Sequence, residues 1–252
     1  MKSAFRCDIG CVRQSNQDAV FCSDHPFGPL DNLYIVADGM GGHRAGDVAS
    51  NEAIRAFTAY VRQAEGKHPL EIFQRALDDA NACLYRLSRE REEYAGMGTT
   101  LVGATLCRNR IYIVNVGDSR LYCLRSETGR LERMTEDHSV IQELINAGEI
   151  TEEEARNHPG RHMLTRALGT DSQIEGDYYE IPYSEADSFL LCSDGLTGAV
   201  PEEDIREILQ QAPTAEAAAE ALVEEAKKNG GHDNISVIIL AETVQRQEEG
   251  KC

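Results

Sequence analysis

The chain has 252 residues, of which 41% are hydrophobic and 27% are charged, and its formal net charge at pH 7 is −18. This balance is typical of a globular protein with a sizeable core. So strong a negative charge repels nucleic acid and anionic membranes, and we expect neither as a partner.

The chain contains eight cysteines. Whether they form disulfides or stay reduced depends on the redox state of the compartment. The first residues lack the apolar core of a signal peptide, and the longest apolar runs have only strand length. The sequence therefore predicts a cytoplasmic protein whose thiols stay reduced.

The first predicted elements are two strands with polar residues beside them. Residues 5–12 predict a strand with Arg13 at its end, and residues 33–37 form an apolar run that predicts a buried strand ending at Asp38. From the residues alone, an arginine such as Arg13 is most often a solvated surface charge.

Three glycines close behind Asp38 let the backbone turn freely or approach a bound group. A phosphate-binding loop of the Walker A type would need lysine and then serine or threonine after Gly46, where the chain has Asp47 and Val48. A tight Asp-Gly turn or a site for a hard cation remain open for this stretch.

The middle of the chain predicts helices and then strands. Apolar residues recur at steps of three and four over residues 46–64 and again from residue 70 to residue 87, which predicts two amphipathic helices. Short loops then separate strands, which predicts an antiparallel meander at residues 101–106, 111–116, 120–124 and near 131.

The last part of the chain begins with a polar, poorly patterned stretch at residues 137–163, which opens on a helix. The pattern then predicts strands at residues 178–181 and 189–192, helices starting near residues 201 and 214, and a final strand at residues 235–240. We interpret residues 245–252 as a polar tail.

A carboxylate stands at the tip of each of four predicted strands, and the four are Asp38, Asp118, Asp194 and Asp233. If those strands lie side by side, the carboxylates meet in one acidic cleft and need cations to stay ionised. Oxygen ligands without a zinc-type Cys/His cluster favour Mg²⁺ or Mn²⁺. Such a cleft can hold two ions about 3.5–4 Å apart, which is an arrangement suited to phosphoryl chemistry.

These motifs occur in an order that resembles one known family. Along nearly the whole chain they are similar to those of bacterial metal-dependent protein phosphatases, the type-2C Ser/Thr phosphatases. The matching blocks lie at residues 8–10, 12–18, 36–43, 98–100, 116–120, 164–169, 191–196 and 232–235.

The resemblance implies an α+β fold, a four-layer α/β/β/α sandwich in which two antiparallel β-sheets pack face to face and are flanked by helix pairs. It implies a single phosphatase domain over residues 1–244, with a flap at about residues 137–163 beside the active site.

The resemblance also implies a set of metal ligands. In the family pattern, Asp38 bridges two Mn²⁺ or Mg²⁺ ions, the carbonyl group of Gly39 binds one of them, and Asp194 and Asp233 hold the other. Asp118 and Asp194 would hold a third ion.

Further roles follow from the same resemblance. Arg13 would hold the substrate phosphate, and Asp18 would support metal-bound waters. Met40 stands where many eukaryotic relatives carry histidine, so His43 or a metal-bound water would protonate the leaving oxygen, and an ordinary loop histidine is the alternative for His43. The implied catalytic set is Arg13, Asp38, Asp194, Asp233 and His43.

The resemblance implies hydrolysis of phosphoserine and phosphothreonine in proteins by a water bridging two metal ions. The expected partners are phosphorylated proteins, a bacterial Ser/Thr protein kinase and its substrates, and the expected state is a monomer. Two alternatives remain: a phosphatase-fold regulatory binding module, which would gain nothing from so many clustered carboxylates, and a metal-dependent hydrolase of small phosphate esters, which the sequence leaves open.

Overall fold

Two antiparallel β-sheets form the centre of the computed structural model, which describes residues 1–42, 45–66, 68–155 and 158–241. The strands in chain order are β1 (Lys2–Asp8), β2 (Asp18–Ser23), β3 (Leu33–Met40), β4 (Gly98–Thr99), β5 (Leu101–Cys107), β6 (Arg110–Val116), β7 (Arg120–Leu124), β8 (Leu131–Arg133), β9 (Asp177–Pro182), β10 (Ser188–Cys192) and β11 (Ile235–Ala241). Neighbouring strands follow the order β1-β11-β10-β7-β8 in the first sheet and β2-β3-β5-β6-β9 in the second, with β4 beside β3.

The helices lie outside the two sheets. In chain order they are α1 (Ala45–Gln63), α2 (Pro69–Glu90), α3 (Val140–Asn146), α4 (Glu152–Ala155), α5 (Asp194–Thr197), α6 (Glu202–Gln211) and α7 (Ala215–Lys228). The start of α7 is fixed by Thr214, whose hydroxyl accepts a hydrogen bond from the Ala217 amide. Pro69 begins α2, where its missing amide hydrogen costs nothing.

Three apolar clusters show the order of the layers. Alternate residues of β3 go to opposite sides: Tyr34 and Val36 face the first sheet, whereas Leu33 and Ile35 pack under α1 and α2. The outer face of the first sheet packs against α5, α6 and α7. The layers are therefore helices, sheet, sheet and helices, and the predicted α+β sandwich is confirmed.

The first strand differs from its prediction. It ends at Asp8 because the chain turns at Gly10, where φ is +77° and a Cβ would lie 2.2 Å from the Asp233 carbonyl oxygen. Arg13 therefore lies on the loop at residues 9–17, not at a strand end. The strand β3 is also longer than predicted, so Asp38 lies within it.

The remaining predictions concern the stretch at residues 137–163, His43 and the C-terminal tail. The helix in the 137–163 stretch starts at Val140, after Ser139 caps its amide groups. His43 and the predicted tail at residues 245–252 lie outside the described residues. The described part of the chain contains no helix that combines the length and apolar character needed to cross a membrane.

Candidate functional site

Acidic side chains from both sheets gather at one end of the interface between them. Asp18 begins β2 and stands opposite Asp38 of β3 in the antiparallel pair. Both lie in register with residues such as Val20 and Val36, which pack between the sheets. The second sheet therefore directs two carboxylates toward the first sheet.

Asp118 follows β6 of the second sheet, whereas Asp194 and Asp233 flank β10 and β11 of the first sheet. Asp194 is the first residue of the short helix α5. The carboxylates of Asp194 and Asp233 raise the pKa of Asp18, after the larger effect of burial. The structure thus brings together the acidic residues that the sequence predicted to meet.

The backbone beside Asp38 is tightly packed. The Gly39 amide donates a hydrogen bond of 3.0 Å to the Gln17 carbonyl oxygen. A Cβ on Gly39 would lie 2.0 Å from the Gly46 carbonyl oxygen, which rules out a side chain without movement of the backbone. Glycine at this position therefore allows β3 to lie against the start of α1.

The carboxylates perturb one another strongly. Burial and then the charges of the neighbouring acids, led by Asp18 and Asp194, raise the pKa of Asp38 far above its usual range. Burial raises the pKa of Asp18 to about 7 and that of Asp118 to about 8, with repulsion adding to both. A cluster of this kind binds positive charge, either as protons or as cations.

Two buried oxygens in the cluster, the Oδ1 atoms of Asp18 and Asp194, have no hydrogen-bond partner among the residues that the structure describes. Buried carboxylate oxygens without a partner are costly, and a divalent cation is one way to satisfy them. Within the described residues, no three acidic, histidine or cysteine side chains are already arranged around one point as metal ligands. Electrostatic repulsion acts over several ångströms, whereas metal ligation needs oxygens within about 2.5 Å of the ion.

Protein groups engage two other carboxylate oxygens of the cluster. The Ser193 hydroxyl donates a 2.8 Å hydrogen bond to Asp18 Oδ2, and the Arg13 guanidinium lies 2.7 Å from Asp233 Oδ2. The Oδ1 atoms of Asp18 and Asp194, which lack such contacts among the described residues, are oxygens of the type that a hard cation prefers.

The loop at residues 9–17 carries one cationic residue, Arg13, and it contacts the acidic cluster. Its guanidinium pairs with Asp233 Oδ2, while the Asn234 amide donates to Asp233 Oδ1 at 2.8 Å. The Arg13 side chain is 48% exposed, so it can reach a ligand in the cleft as well as Asp233.

The hydroxyl groups of Thr100 and Ser119 support the backbone at Asp38. Thr100 Oγ1 accepts a hydrogen bond of 2.9 Å from the Asp38 amide and lies 2.7 Å from the Ser119 hydroxyl. One buried threonine therefore connects the backbone of Asp38 to the side chain of the residue that follows Asp118.

The turn before Asp118 is held by an imidazole. The Gly117 amide donates to His138 Nδ1 at 3.2 Å, and His138 Nε2 lies 3.3 Å from Asp177 Oδ2. Burial lowers the pKa of His138, although Asp177 opposes the shift. The neutral ring, with its proton on Nε2, satisfies both contacts.

The stretch at residues 137–163 reaches the cleft through His162. The Nδ1 atom of this exposed imidazole lies 4.0 Å from Asp194 Oδ2, and the adjacent Met163 is 59% exposed. This contact places one residue of the stretch near the acidic cluster, and the flap itself stays a prediction. His43, the predicted proton donor, lies outside the described residues.

Sequence reasoning missed several polar residues that hold the cluster, namely Thr100, His138, Ser193 and Asn234. Each lies within or next to a motif that the sequence singled out, and the signal available was a buried polar residue beside a strand-tip acid. Their contacts depend on residues far away in the chain, which the sequence does not pair.

A family model described as Protein phosphatase 2C matches residues 12–230. The chain belongs to the protein phosphatase 2C family. The match spans the loop with Arg13, the acids up to Asp194 and the helices between them, and the family and enzyme class predicted from the sequence are confirmed.

Relatives in this family are similar over nearly the whole chain. The serine/threonine phosphatase Stp of Listeria monocytogenes serotype 4b is 40% identical over 246 residues, which cover 95% of each chain. The crystal structure of Stp1 from Staphylococcus aureus is 33% identical, with a TM-score of 0.88 and coverage of 96% of this chain and 94% of that one.

A third similar protein was solved with metal. The catalytic domain of the serine/threonine protein phosphatase PstP, in complex with two manganese ions, is 36% identical and has a TM-score of 0.83. The alignment covers 94% of this phosphatase and 96% of that domain. Both structures confirm the predicted fold at the level of the whole phosphatase domain.

Proposed function

We propose that the protein hydrolyses phosphoserine and phosphothreonine side chains in proteins with the help of divalent metal ions. The observation that carries this proposal is the acidic cluster, in which carboxylates from two sheets raise one another's pKa and leave buried oxygens without partners. The Ser/Thr phosphatases named above support the substrate class.

The proposed metal ligands are the acids of the cluster. Asp38 would bridge two ions, with the Gly39 carbonyl group on one and Asp194 and Asp233 on the other. Asp118 would join Asp194 at a third ion. Bound manganese or magnesium would supply the positive charge that makes a water molecule nucleophilic near neutral pH.

The protein's own groups have separate tasks in this proposal. Arg13 would hold the phosphate, because its planar guanidinium matches two phosphate oxygens and is always charged. Asp18 would orient water molecules through its unpaired Oδ1, with its other oxygen fixed by Ser193. His43 remains the candidate proton donor for the leaving oxygen.

Arg13 also reduces the repulsion between the acidic protein and an anionic substrate. A net charge of −18 repels a phosphorylated substrate at long range. The cations bound by the acidic cluster, together with Arg13, would reverse the sign of the potential at the cleft. We infer that phosphate affinity depends on both.

We extend the proposal to the partners expected from the sequence. The protein would act as a cytoplasmic monomer on targets of a bacterial Ser/Thr protein kinase, with Mn²⁺ or Mg²⁺ in two core positions and one outer position. Bacterial relatives named as Ser/Thr phosphatases support the choice of substrate proteins.

The test is phosphate release from a phosphothreonine peptide with Mn²⁺, compared with release from nucleotides and from a small aryl phosphate. We expect the peptide to be the best substrate and Asp194→Asn to lose most of the activity. Asp79→Asn, which changes an exposed acid on α2, is the matched control and should match the wild type. Preference for nucleotides would favour the small-ester hydrolase, and binding without turnover would favour the regulatory module.

A further inference from the structure

One buried side chain connects the loop that carries Arg13 to the strand that follows Asp233. Asn234 Nδ2 donates hydrogen bonds to the carbonyl oxygens of Ile9 at 3.0 Å and Ser15 at 3.1 Å. Asn234 Oδ1 accepts from the Gln17 amide at 2.8 Å. Three bonds from one side chain thus reach both ends of the loop at residues 9–17.

The loop depends on a few contacts of this kind. It lies between β1 and β2, its residue Val12 is 59% exposed, and Arg13 next to it is half-exposed. A backbone hydrogen bond of 2.7 Å from the Cys11 amide to the Gly231 carbonyl oxygen is a further link to the same C-terminal segment. Both ties hold the loop against the residues just before β11.

The other side of Asn234 is fixed to the acids. Its backbone amide donates to Asp233 Oδ1 at 2.8 Å. A Cβ on Gly195 would lie only 1.9 Å from the Asn234 carbonyl oxygen. Gly195, the residue after Asp194, therefore packs directly against the Asn234 backbone. Asn234 itself is only 3% exposed. Asn234 therefore contacts both the loop that carries Arg13 and the segments that carry two of the proposed metal ligands, alongside the direct ion pair between Arg13 and Asp233.

We propose that Asn234 is a positioning residue that holds the guanidinium group of Arg13 at the distance from the acidic cluster at which it binds a phosphate oxygen. This inference rests on the proposed function, because it assigns the phosphate to Arg13. Asn234 acts through the loop and touches neither the metal ions nor the substrate.

Replacing Asn234 by alanine tests the contacts to the arginine loop apart from the contact to Asp233. The variant removes the three side-chain hydrogen bonds to the loop but keeps the backbone amide that donates to Asp233. The metal ligands therefore stay in place, while the backbone on both sides of Arg13 loses its support and the guanidinium keeps only its ion pair with Asp233 and the tie through Cys11. A displacement of about 1 Å at a positioned group can lower a rate constant by about a hundredfold.

The control is another asparagine with the same number of bonds. Asn32 accepts from the Leu106 amide at 2.7 Å and from the Thr105 hydroxyl at 3.3 Å, and donates to the Leu106 carbonyl oxygen at 3.0 Å. It precedes β3 at the end of the strand opposite to Asp38. Asn32→Ala thus loses comparable bonds without affecting the arginine loop.

The experiment measures the dissociation constant of inorganic phosphate by calorimetry on the full chain loaded with Mn²⁺, together with Mn²⁺ affinity and the KM and kcat for a phosphothreonine peptide. We expect Asn234→Ala to weaken phosphate binding and raise KM by about tenfold or more, with Mn²⁺ affinity unchanged within about twofold. Asn32→Ala should leave all of these constants at their wild-type values. If Asn234→Ala does not fold, Asn234→Ser, whose hydroxyl can keep one of the bonds, replaces it.

A double-mutant cycle distinguishes positioning from general destabilisation. In Arg13→Ala, the further change Asn234→Ala should leave phosphate affinity unchanged, because the group that Asn234 positions is already absent. Equal fold-losses in both backgrounds, or a loss of Mn²⁺ affinity as large as the loss of phosphate affinity, would overturn the proposal. Failure of the wild type to turn over the peptide would instead contradict the proposed function, and phosphate affinity would still test Asn234.

Discussion

Asp18 and Asp38 lie directly opposite each other in the antiparallel pair of β2 and β3. Register partners project from the same face of a sheet, so two carboxylates face the interior side by side. Like charges placed this way resist ionisation together, and the pKa of both groups is raised. A cation bound between these carboxylates would relieve this repulsion.

The stability of the metal-free protein should fall as pH rises. Asp18 and Asp118 have pKa values of about 7 and about 8 in the folded chain, above the ordinary 3.8 of the unfolded chain. The folded state thus holds more protons, so the free energy of unfolding decreases with pH from about 4 to about 8. Thermal unfolding in the presence of chelator measures this decrease.

Two comparisons check the cause of this pH dependence. Asp18→Asn should flatten the dependence because the asparagine does not titrate. Added Mn²⁺ should raise the melting temperature more at about pH 8 than at about pH 5, since protons compete with the ion for the same oxygens. A melting temperature that rises with pH in the chelated wild type would contradict the assignment.

Arg13→Ala should weaken substrate binding more than it changes metal binding. Loss of a charge-assisted hydrogen bond to phosphate costs about 2 kcal/mol, which is roughly a thirtyfold rise in KM. Arg13→Lys keeps the charge but loses the planar fork, so it should recover only part of the loss. Steady-state kinetics with a phosphothreonine peptide measures both variants, and full activity in Arg13→Ala would exclude a phosphate contact.

Gly39→Ala should destabilise the folded protein. The new Cβ would lie 2.0 Å from the Gly46 carbonyl oxygen and 2.6 Å from the Gln17 carbonyl oxygen. Overpacking against backbone costs about 3 kcal/mol, which chemical denaturation can measure. Gly42→Ala is the matched control, because an added Cβ there meets no atom within 4 Å among the described residues other than its chain neighbours, and it should unfold like the wild type.

Ser193→Ala should weaken Mn²⁺ binding. The Ser193 hydroxyl donates to Asp18 Oδ2 at 2.8 Å and accepts from the Ser236 amide at 3.0 Å. Removing a group that orients a site carboxylate typically costs about tenfold or more in metal affinity. Calorimetric titration with Mn²⁺ measures the change. Ser50→Ala, which removes another buried hydroxyl, on α1, should bind Mn²⁺ normally. Equal losses of Mn²⁺ affinity in the two variants would contradict a specific role of Ser193.

Local sequence patterns predicted the strand-tip acids well. Asp118 and Asp194 follow short apolar runs, and such runs are strands wherever both faces are buried. That these acids meet did not follow from any local pattern, since β6 and β10 belong to different sheets. The family resemblance supplied the expectation that these acids share bound metal ions.

The misplaced end of the first strand has a physical origin in long-range contacts. The bend at Gly10 is set by its contact with Asp233, and the loop after it is held by Asn234. Both partners lie more than two hundred positions away along the chain. Long-range contacts of this kind override the local strand preference of residues 9–12, and no sequence window contains both partners.

Anomalous diffraction from a crystal of the protein with Mn²⁺ would show whether the acidic cluster holds metal ions. We expect two manganese peaks about 3.5–4 Å apart, both ligated by Asp38, with Asp194 and Asp233 on one of them. A crystal soaked in Mn²⁺ that shows no peak among these carboxylates, or ions bound only elsewhere on the surface, would contradict it.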